Sequence, residues 1–345
     1  MLKGCILIIA IFFLPIISII VYQIIFNLDI DKRVYNHISG ECSYSRIFNS
    51  GINNIIQVGD YVYFYTNGEN NFSTINAYND YNNQYFTFSI IYADKKKENQ
   101  NYFGHLSVYK ENLYVINHLN EFTDTVELFS IRFQDKILKH LKTFKHFKFY
   151  NLQGISAVGK DSFYLTQQYY FKNIYLKFLE LLFRLPTGSV LYYNGLEVLP
   201  VANGVVSPKG LLVNEKKTIM FVPSYGNKKI LKYRVYKTND NVIFLNDIPL
   251  GVSPVNIMKF NNNEYIIPTH PLRIYYLITH FFVPSYLTPS QVLKIKWNKS
   301  KKKFSIEQLY SNDGASMSHI ENAVLFKDTL LVSNTKSSIQ CSKHM

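Results

Sequence analysis

The chain has 345 residues, with 37 Lys+Arg against only 24 Asp+Glu, giving a formal charge of +13. Apolar residues make up 47%, and 28 Tyr and 26 Phe are among them, which excludes intrinsic disorder because a disordered chain has little to bury. A basic balance suggests an acidic partner surface, but the Lys residues are scattered over strand-like runs with no helix-turn-helix, zinc-finger or RNP pattern, so nucleic acid is excluded.

Residues 4–26 are almost wholly apolar, interrupted by Pro15, Ser18 and Gln23. As a helix this run spans about 34 Å, enough for a bilayer. A secretory apolar region is shorter and ends at a small-residue cleavage site, which Asn27-Leu28-Asp29-Ile30 does not offer. The reading is an uncleaved transmembrane signal anchor at 4–26. A cytoplasmic stub (1–3) precedes it, a linker (27–39) follows, and the body occupies 40–342. The alternative is a segment that is cleaved or lies in the membrane surface. Lys3 before the run and Lys32 and Arg33 after it leave the orientation undecided by charge.

Cys5 falls in the apolar run, so Cys42 and Cys341 stand at the two ends of the body. They read as a chain-closing disulfide in an oxidising lumen, or else as two free buried thiols. Asn71-Phe72-Ser73 and Asn298-Lys299-Ser300 are glycosylation sequons, in keeping with a lumenal body. The expected topology is single-pass type II, in the endoplasmic reticulum or plasma membrane, with the body lumenal or extracellular.

The body reads as strands. Runs rich in Tyr, Phe, Val and Ile recur at 61–65, 85–92, 113–116, 126–133, 162–166, 190–193, 219–222, 230–235, 265–267, 292–297, 323–326 and 330–333. Several alternate apolar and polar residues, the pattern of half-buried strands. Many short strands with turn residues between them predict an all-β propeller or large barrel. The propeller is preferred, because closing a ring brings the two cysteine-bearing ends together. One helix is predicted at 169–185, apolar around most of its circumference, with Lys172, Lys177, Glu180 and Arg184 as a thin polar edge. It is either a lid on the propeller or a membrane contact. The apolar stretch 274–287 is too interrupted to span a membrane and is expected as a hydrophobic loop; both stretches are candidate lipid contacts.

Several motifs carry a resemblance. Asn117-His118 followed by residues 125–129 (TVELF) resembles the NHP…STVELF signature of the paraoxonase/arylesterase family. Residues 152–164 (LQGISAVGKDSFY) resemble its LNDIVAVGPDSFY segment, and 188–197, Thr269-His270-Pro271 and 289–295 follow in the family's order. The resemblance covers roughly 40–342. It implies a six-bladed β-propeller closed by a Cys42–Cys341 disulfide, a retained N-terminal apolar segment, and two Ca²⁺ ions in the central tunnel.

The resemblance also locates the calcium-ligand positions. The family's Glu-Asp pair falls on Asn53-Asn54, its Asn-Asp pair on Gln153-Gly154, its Asn before glycine on Lys209, and its Asp-Asn pair on Val255-Asn256. An alternative register places the third position at Ala202-Asn203-Gly204. Lys209 is preferred because 214–216 then falls on the family's turn and 219–222 on its strand. No carboxylate remains among these positions, whereas Ca²⁺ wants six to eight oxygens, several of them charged. No metal cofactor is therefore expected. Lys209 is expected to put its ammonium where the catalytic ion would sit, donating to Asn53, Gln153 and Asn256.

The family's first histidine falls on Phe103, with His105 displaced by two; His118 keeps the second histidine, and His270 keeps the HP pair. Each lone histidine reads first as a hydrogen-bonded structural residue, and no confident catalytic residue remains. No GxSxG, HExxH or Cys/His zinc pattern supplies an alternative chemistry. Within the family, nematode membrane members assist assembly of degenerin-type channels, and this chain is similar to that branch in its anchor and eroded site. The first functional expectation is therefore a non-catalytic pseudoenzyme with a membrane-protein partner. The alternatives are a calcium-dependent arylesterase/lactonase and a lipid- or small-ligand-binding propeller.

Overall fold

The computed structural model describes residues 2–38, 40–44, 52, 54–59, 61–67, 73–79, 84–92, 102–120, 122–236, 241–298, 303–326 and 329–342. Asn53 and Asn71 lie outside the described residues.

Antiparallel sheets follow one another along the chain as six propeller blades. Blade 1 runs Asn54–Val58, Tyr61–Asn67, Ser73–Asn79, Gln84–Thr87 from the axis outwards. Blade 2 runs Phe103–Tyr109, Asn112–Asn120, Thr123–Arg132, Ile137–Phe144, and blade 3 Leu152–Ala157, Phe163–Gln167, Gly188–Tyr193, Val198–Val205. Blade 4 runs Leu212–Val213, Ile219–Ser224, Lys229–Val235, Val242–Pro249. In blade 5, Ser253–Pro254 and Met258–Asn261 line the axis, followed by Glu264–His270, Ser290–Asn298 and Lys303–Asn312. Blade 6 runs Asn322–Phe326, Thr329–Ser333, Ser338–Ser342, and its outermost strand is Glu41–Tyr44 from the other end of the chain.

That last pairing closes the ring. Cys42 stands directly opposite Cys341 in the register and is bonded to it. The chain-closing disulfide is thus present, and the free-thiol alternative falls.

The core is distributed between blades. Leu113 and Val115 pack towards blade 1, whereas their neighbours Tyr114 and Ile116 pack towards blade 3. Because successive side chains point to opposite faces, a strand with a blade on each side is apolar on both. This is why the second strands are nearly continuous apolar runs rather than the alternating, half-buried strands expected. Comparable clusters join blades 3 and 4, 4 and 5, 5 and 6, and 6 and 1. The run expected as one strand at 85–92 is divided at Phe88. Gln84–Thr87 ends blade 1, and Ser89–Ile91 pairs in parallel with the edge of blade 2.

Among the described residues three helices stand outside the blades: α1 (Leu2–Leu28), α2 (Ile174–Leu182) and α3 (Arg273–Phe281). Among the described residues no helix is long and apolar enough to cross a membrane. α2 and α3 are inserted after Gln167 and His270. These residues pair with Leu152 and Ser253, where the inner strands begin, so both helices lie on that face of the propeller. Leu28 of α1, Leu181 of α2 and Tyr276 and Leu277 of α3 share one apolar cluster over it, with Tyr169, Tyr225 and Val255.

The α2 helix is shorter than expected. Asn173 caps it, its side chain accepting from the amides of Tyr175 and Leu176, and residues before it are held in another way. Glu180, expected on a polar edge, is buried and accepts from the backbone N–H groups of Tyr170 and Phe171. The stretch expected as a hydrophobic loop forms α3 instead, because Tyr276 and Leu277 fall on one helical face that the cluster covers. Phe282, Val283, Tyr286 and Leu287, beyond α3, are exposed, as are Ile174, Tyr175 and Phe183 around α2.

Candidate functional site on the propeller axis

The inner strands bring side chains from different blades together at their starting ends. Asn54 of blade 1 and Asn256 of blade 5 each donate an Nδ2–H to Oδ1 of Asn322 in blade 6, both at 3.2 Å. Oδ1 of Asn54 accepts from the Leu106 amide at 3.0 Å, and Oδ1 of Asn256 from the Ile257 amide at 2.9 Å. All three asparagines are buried. Buried amides require such partners, and here they find them in one another and in the backbone.

Gly154 lies on the same axis and fits only without a side chain. A Cβ there would come within 2.8 Å of the Lys209 carbonyl oxygen and of the Gly210 carbonyl carbon. Its amide donates to Thr166 Oγ1 at 2.7 Å, which in turn donates to the Lys209 carbonyl. Gln153 beside it is half-buried and Val255 is buried in the helix-capped cluster. Asn203, of the alternative register, lies on the outermost strand of blade 3, whereas Lys209 is buried at the entry to blade 4.

The Lys209 ammonium does not go where the sequence reading put it. Among the described residues it makes no hydrogen bond to Gln153 or Asn256. It lies over two aromatic rings, 4.3 Å from the centroid of Tyr276 and 5.0 Å from that of Tyr225. The amide oxygens are occupied, and the negative faces of two buried rings attract a desolvated cation.

Histidines surround this pair. His270 Nδ1 meets the Tyr225 hydroxyl at 3.2 Å and Nε2 meets the Ile320 carbonyl at 2.9 Å. The carbonyl can only accept, so Nε2 carries the proton and Tyr225 donates to Nδ1. Burial, then the neighbouring His319 and Lys209, hold His270 far below its ordinary range. Burial likewise lowers His105 to about 4, and crowding by protein lowers the solvent-exposed His280 to about 3, Lys209 adding to both. Glu321 faces His319, with 3.5 Å between Oε1 and Nε2. Its side chain keeps 32% of its surface accessible. Crowding by protein would raise its pKa, but the His319 hydrogen bond and the His319 and Lys209 charges outweigh this and lower it to about 2.

The axis therefore holds one ammonium, one carboxylate and several imidazoles kept neutral. These residues do not fit a calcium ion. The amides spend lone pairs on backbone N–H groups, the nearby Lys209 is buried with its ammonium on two rings, and Gly154 leaves no room for a ligand side chain. Among the described residues no group of three or more His, Cys, Asp and Glu is placed to hold a metal. The Asn322, Glu321, Tyr225, Tyr276 and His319 members of the cluster were missed in the sequence, since no local spacing links them to the family positions.

His118 neighbours His105 and acts on it electrostatically, but is held by a carboxylate of its own. Its Nδ1 is 2.7 Å from Oδ1 of buried Asp124, whose Oδ2 accepts from the Leu152 amide at 2.8 Å. Its side chain is 37% exposed, and Nε2 passes so close to Gly104 that a Cβ there would clash. Asp124 was also missed, although it lies in the motif that carried His118.

A family model described as Arylesterase matches residues 16–342. The chain belongs to the arylesterase family. Among curated members of the arylesterase family it is 26% identical, over 227 residues, to Mechanosensory abnormality protein 6 of Caenorhabditis elegans, covering 65% of this chain and 59% of that protein. It is 30% identical over 225 residues to Serum paraoxonase/arylesterase 2 of Rattus norvegicus, covering 64% of this chain and 61% of the relative. The matches thus span about three fifths of these relatives' length. Among solved structures, a luciferin-regenerating enzyme superposes with a TM-score of 0.55 at 10% identity, covering 88% of this chain and 95% of that one. At that identity the likeness concerns the fold alone.

Proposed function

We propose that this member of the arylesterase family is a membrane-anchored, non-catalytic protein that acts by binding a membrane-protein partner, assisting its assembly in the manner of a chaperone, with degenerin-type channels as the partner class. The observation that carries the proposal is the Lys209 ammonium seated on Tyr276 and Tyr225 beside partnered amides. A hydrolase of the kind the resemblance implies needs a cation or oxyanion donors where charge develops. Here a fixed monocation is already spent on two rings.

The apolar surfaces of α2 and of residues 282–287 lie on the same propeller face as the end of α1. They support a body held against a bilayer, with the propeller lumenal or extracellular. Full-length protein in detergent tests the reading by metal analysis and by hydrolysis of aryl esters and lactones. Background rates and substoichiometric calcium are expected; chelator-sensitive turnover with one or more tightly bound Ca²⁺ would overturn it. Proximity labelling in cells then tests for a membrane-protein partner.

The second reading, an arylesterase/lactonase, is favoured by the His118–Asp124 pair. A buried carboxylate fixes the imidazole while leaving it partly open to solvent, the arrangement of a general base. Loss of any measured hydrolysis in His118→Gln would support it.

A further inference from the structure

At the far ends of the inner strands the axis opens into a funnel of about 500 Å³. It lies on the face opposite α2 and α3, because the inner strands begin beneath those helices and run away from them. Its volume is within the range of small-molecule sites, roughly 300–1,000 Å³.

The wall is cationic. Among the described residues, Lys110, Lys217 and Lys259 line it together with one carboxylate, Glu215, which is bound to Lys259 at 2.5 Å. Among the described residues Lys110 and Lys217 have no ion-pair partner. Both stand near the ring of Tyr109, their Nζ atoms 5.8 and 4.6 Å from its centroid. Both also occupy left-handed backbone, at φ 56° and 54°, where the comparable turn of blade 1 has Gly59. A side chain is disfavoured there, although Lys136 and Lys228 adopt the same conformation elsewhere.

The wall also has an unmet acceptor. Among the described residues Gln57 Oε1 is buried with no hydrogen-bond partner, while its amide reaches the Gly59 carbonyl at 3.5 Å. Ser107 and Ser156 accept from the amides of Ala157 and Val213 in the next blades, which leaves their hydroxyl protons to be donated. Leu106, Ile155 and Met258 supply apolar surface.

We propose that this funnel binds a small organic carboxylate that also carries a hydroxyl. Its anion meets Lys110 and Lys217, its hydroxyl donates to Gln57, and its apolar body rests on the aliphatic wall. The funnel reaches Asn54, His105 and Asn256 of the axial cluster, but the proposal does not require that cluster to hydrolyse anything.

Isothermal titration of the full-length protein in detergent micelles tests this with four probes: para-hydroxyphenylacetate, phenylacetate, tyrosol and inorganic phosphate. The hydroxy acid is expected to bind about tenfold tighter than phenylacetate, which lacks the hydroxyl, and than tyrosol, which lacks the charge. Lys110→Gly/Lys217→Gly should remove the preference for the acid over tyrosol. Glycine suits the left-handed turns, so an unchanged melting midpoint confirms that this variant is folded. Gln57→Leu should remove only the preference over phenylacetate. Equal binding of acid and tyrosol, tighter binding of phosphate alone, binding unaffected by the double variant, or no heat at millimolar probe would each overturn the proposal; the last is also the result for a funnel that accepts only a protein's acidic side chain.

Discussion

Lys209 and Tyr276 join the propeller axis to its helical cover. The lysine belongs to the chain entering blade 4 and the tyrosine to α3, and the ammonium sits 4.3 Å from the ring centroid. Tyr276 stacks in turn on His270, His280 and His319. The α3 helix is therefore fixed to the axis by a cation and two imidazoles, His270 and His319, as well as by apolar burial, while His280 stacks on Tyr276 within the helix.

Tyr276→Phe keeps the ring and the cation contact, and should cost about 1 kcal/mol through the lost hydroxyl. Tyr276→Leu also removes the quadrupole beneath a desolvated ammonium, and should cost about 3 kcal/mol. The comparison is made by the melting midpoint in detergent. Equal loss in the two variants would show that the ring face contributes nothing beyond its volume.

Stability should fall on mild acidification. His105 and the fully buried His270 are neutral in the fold, His105 at about 4 and His270 well below its range, against an ordinary value of 6.5. Their unfolded forms take up protons first, so their contribution is complete above 6.5 and declines as pH drops through 6.5 towards those folded values. Glu321, lowered from 4.5 to about 2, adds a loss in the window between those two values. The signs agree, and the melting midpoint should decrease steadily below pH 6.5. His105→Leu should flatten the upper part of that decrease, between about pH 6.5 and 4. A midpoint unchanged from pH 7.5 to 5 would contradict these burials.

What the sequence made legible was set by range. Strand positions were readable because Tyr, Phe, Val and Ile gather in short runs, and the closing disulfide because two cysteines remain for one bond. The continuity of the runs at Leu113–Ile116 was readable too, but not its cause: a blade on each side, which no single strand reveals. The site was half legible. Asn54 and Asn256 were found through family motifs, yet both bond to Asn322, which is 268 residues from Asn54. Such a partner leaves no periodic trace. α3 was hidden because Tyr, Thr and His dilute its apolar face; its helix becomes evident only when Tyr276 and Leu277 have something to pack against.

The Cys42–Cys341 bond ties strands from opposite ends of the chain, across a separation of 299 residues. Cross-linking so long a loop restricts the unfolded chain strongly. Cys42→Ser/Cys341→Ser should cost about 3–5 kcal/mol. The denaturant midpoint of oxidised protein should exceed that of the double variant, and reductant should remove the difference. A variant as stable as the parent would mean that the hydrogen-bonded closure of blade 6 suffices alone.

The last residues of α1 are held by charge as well as by packing. Asp29 is fully buried, with Oδ1 at 2.5 Å from Lys228 and 2.7 Å from Lys32, while Asn27 accepts from Arg184 at 2.6 Å. Removing the aspartate charge would leave the Lys228 ammonium, itself 17% exposed, beside Arg273 with no counter-ion. Losing one partner of a buried pair costs up to about 3–5 kcal/mol, and the partial exposure of Lys228 and Lys32 reduces this. Asp29→Asn should therefore weaken docking of this segment by about 2 kcal/mol, making it open roughly thirtyfold more often. Trypsin cutting after Lys32 or Arg33 in micelles should speed up by a similar factor while the disulfide-closed propeller stays resistant. Lys228→Met added to Asp29→Asn should restore much of the protection, because the uncompensated charge is then absent. If the single variant is cut no faster than the parent, apolar contacts of Leu28 alone hold α1 to the propeller.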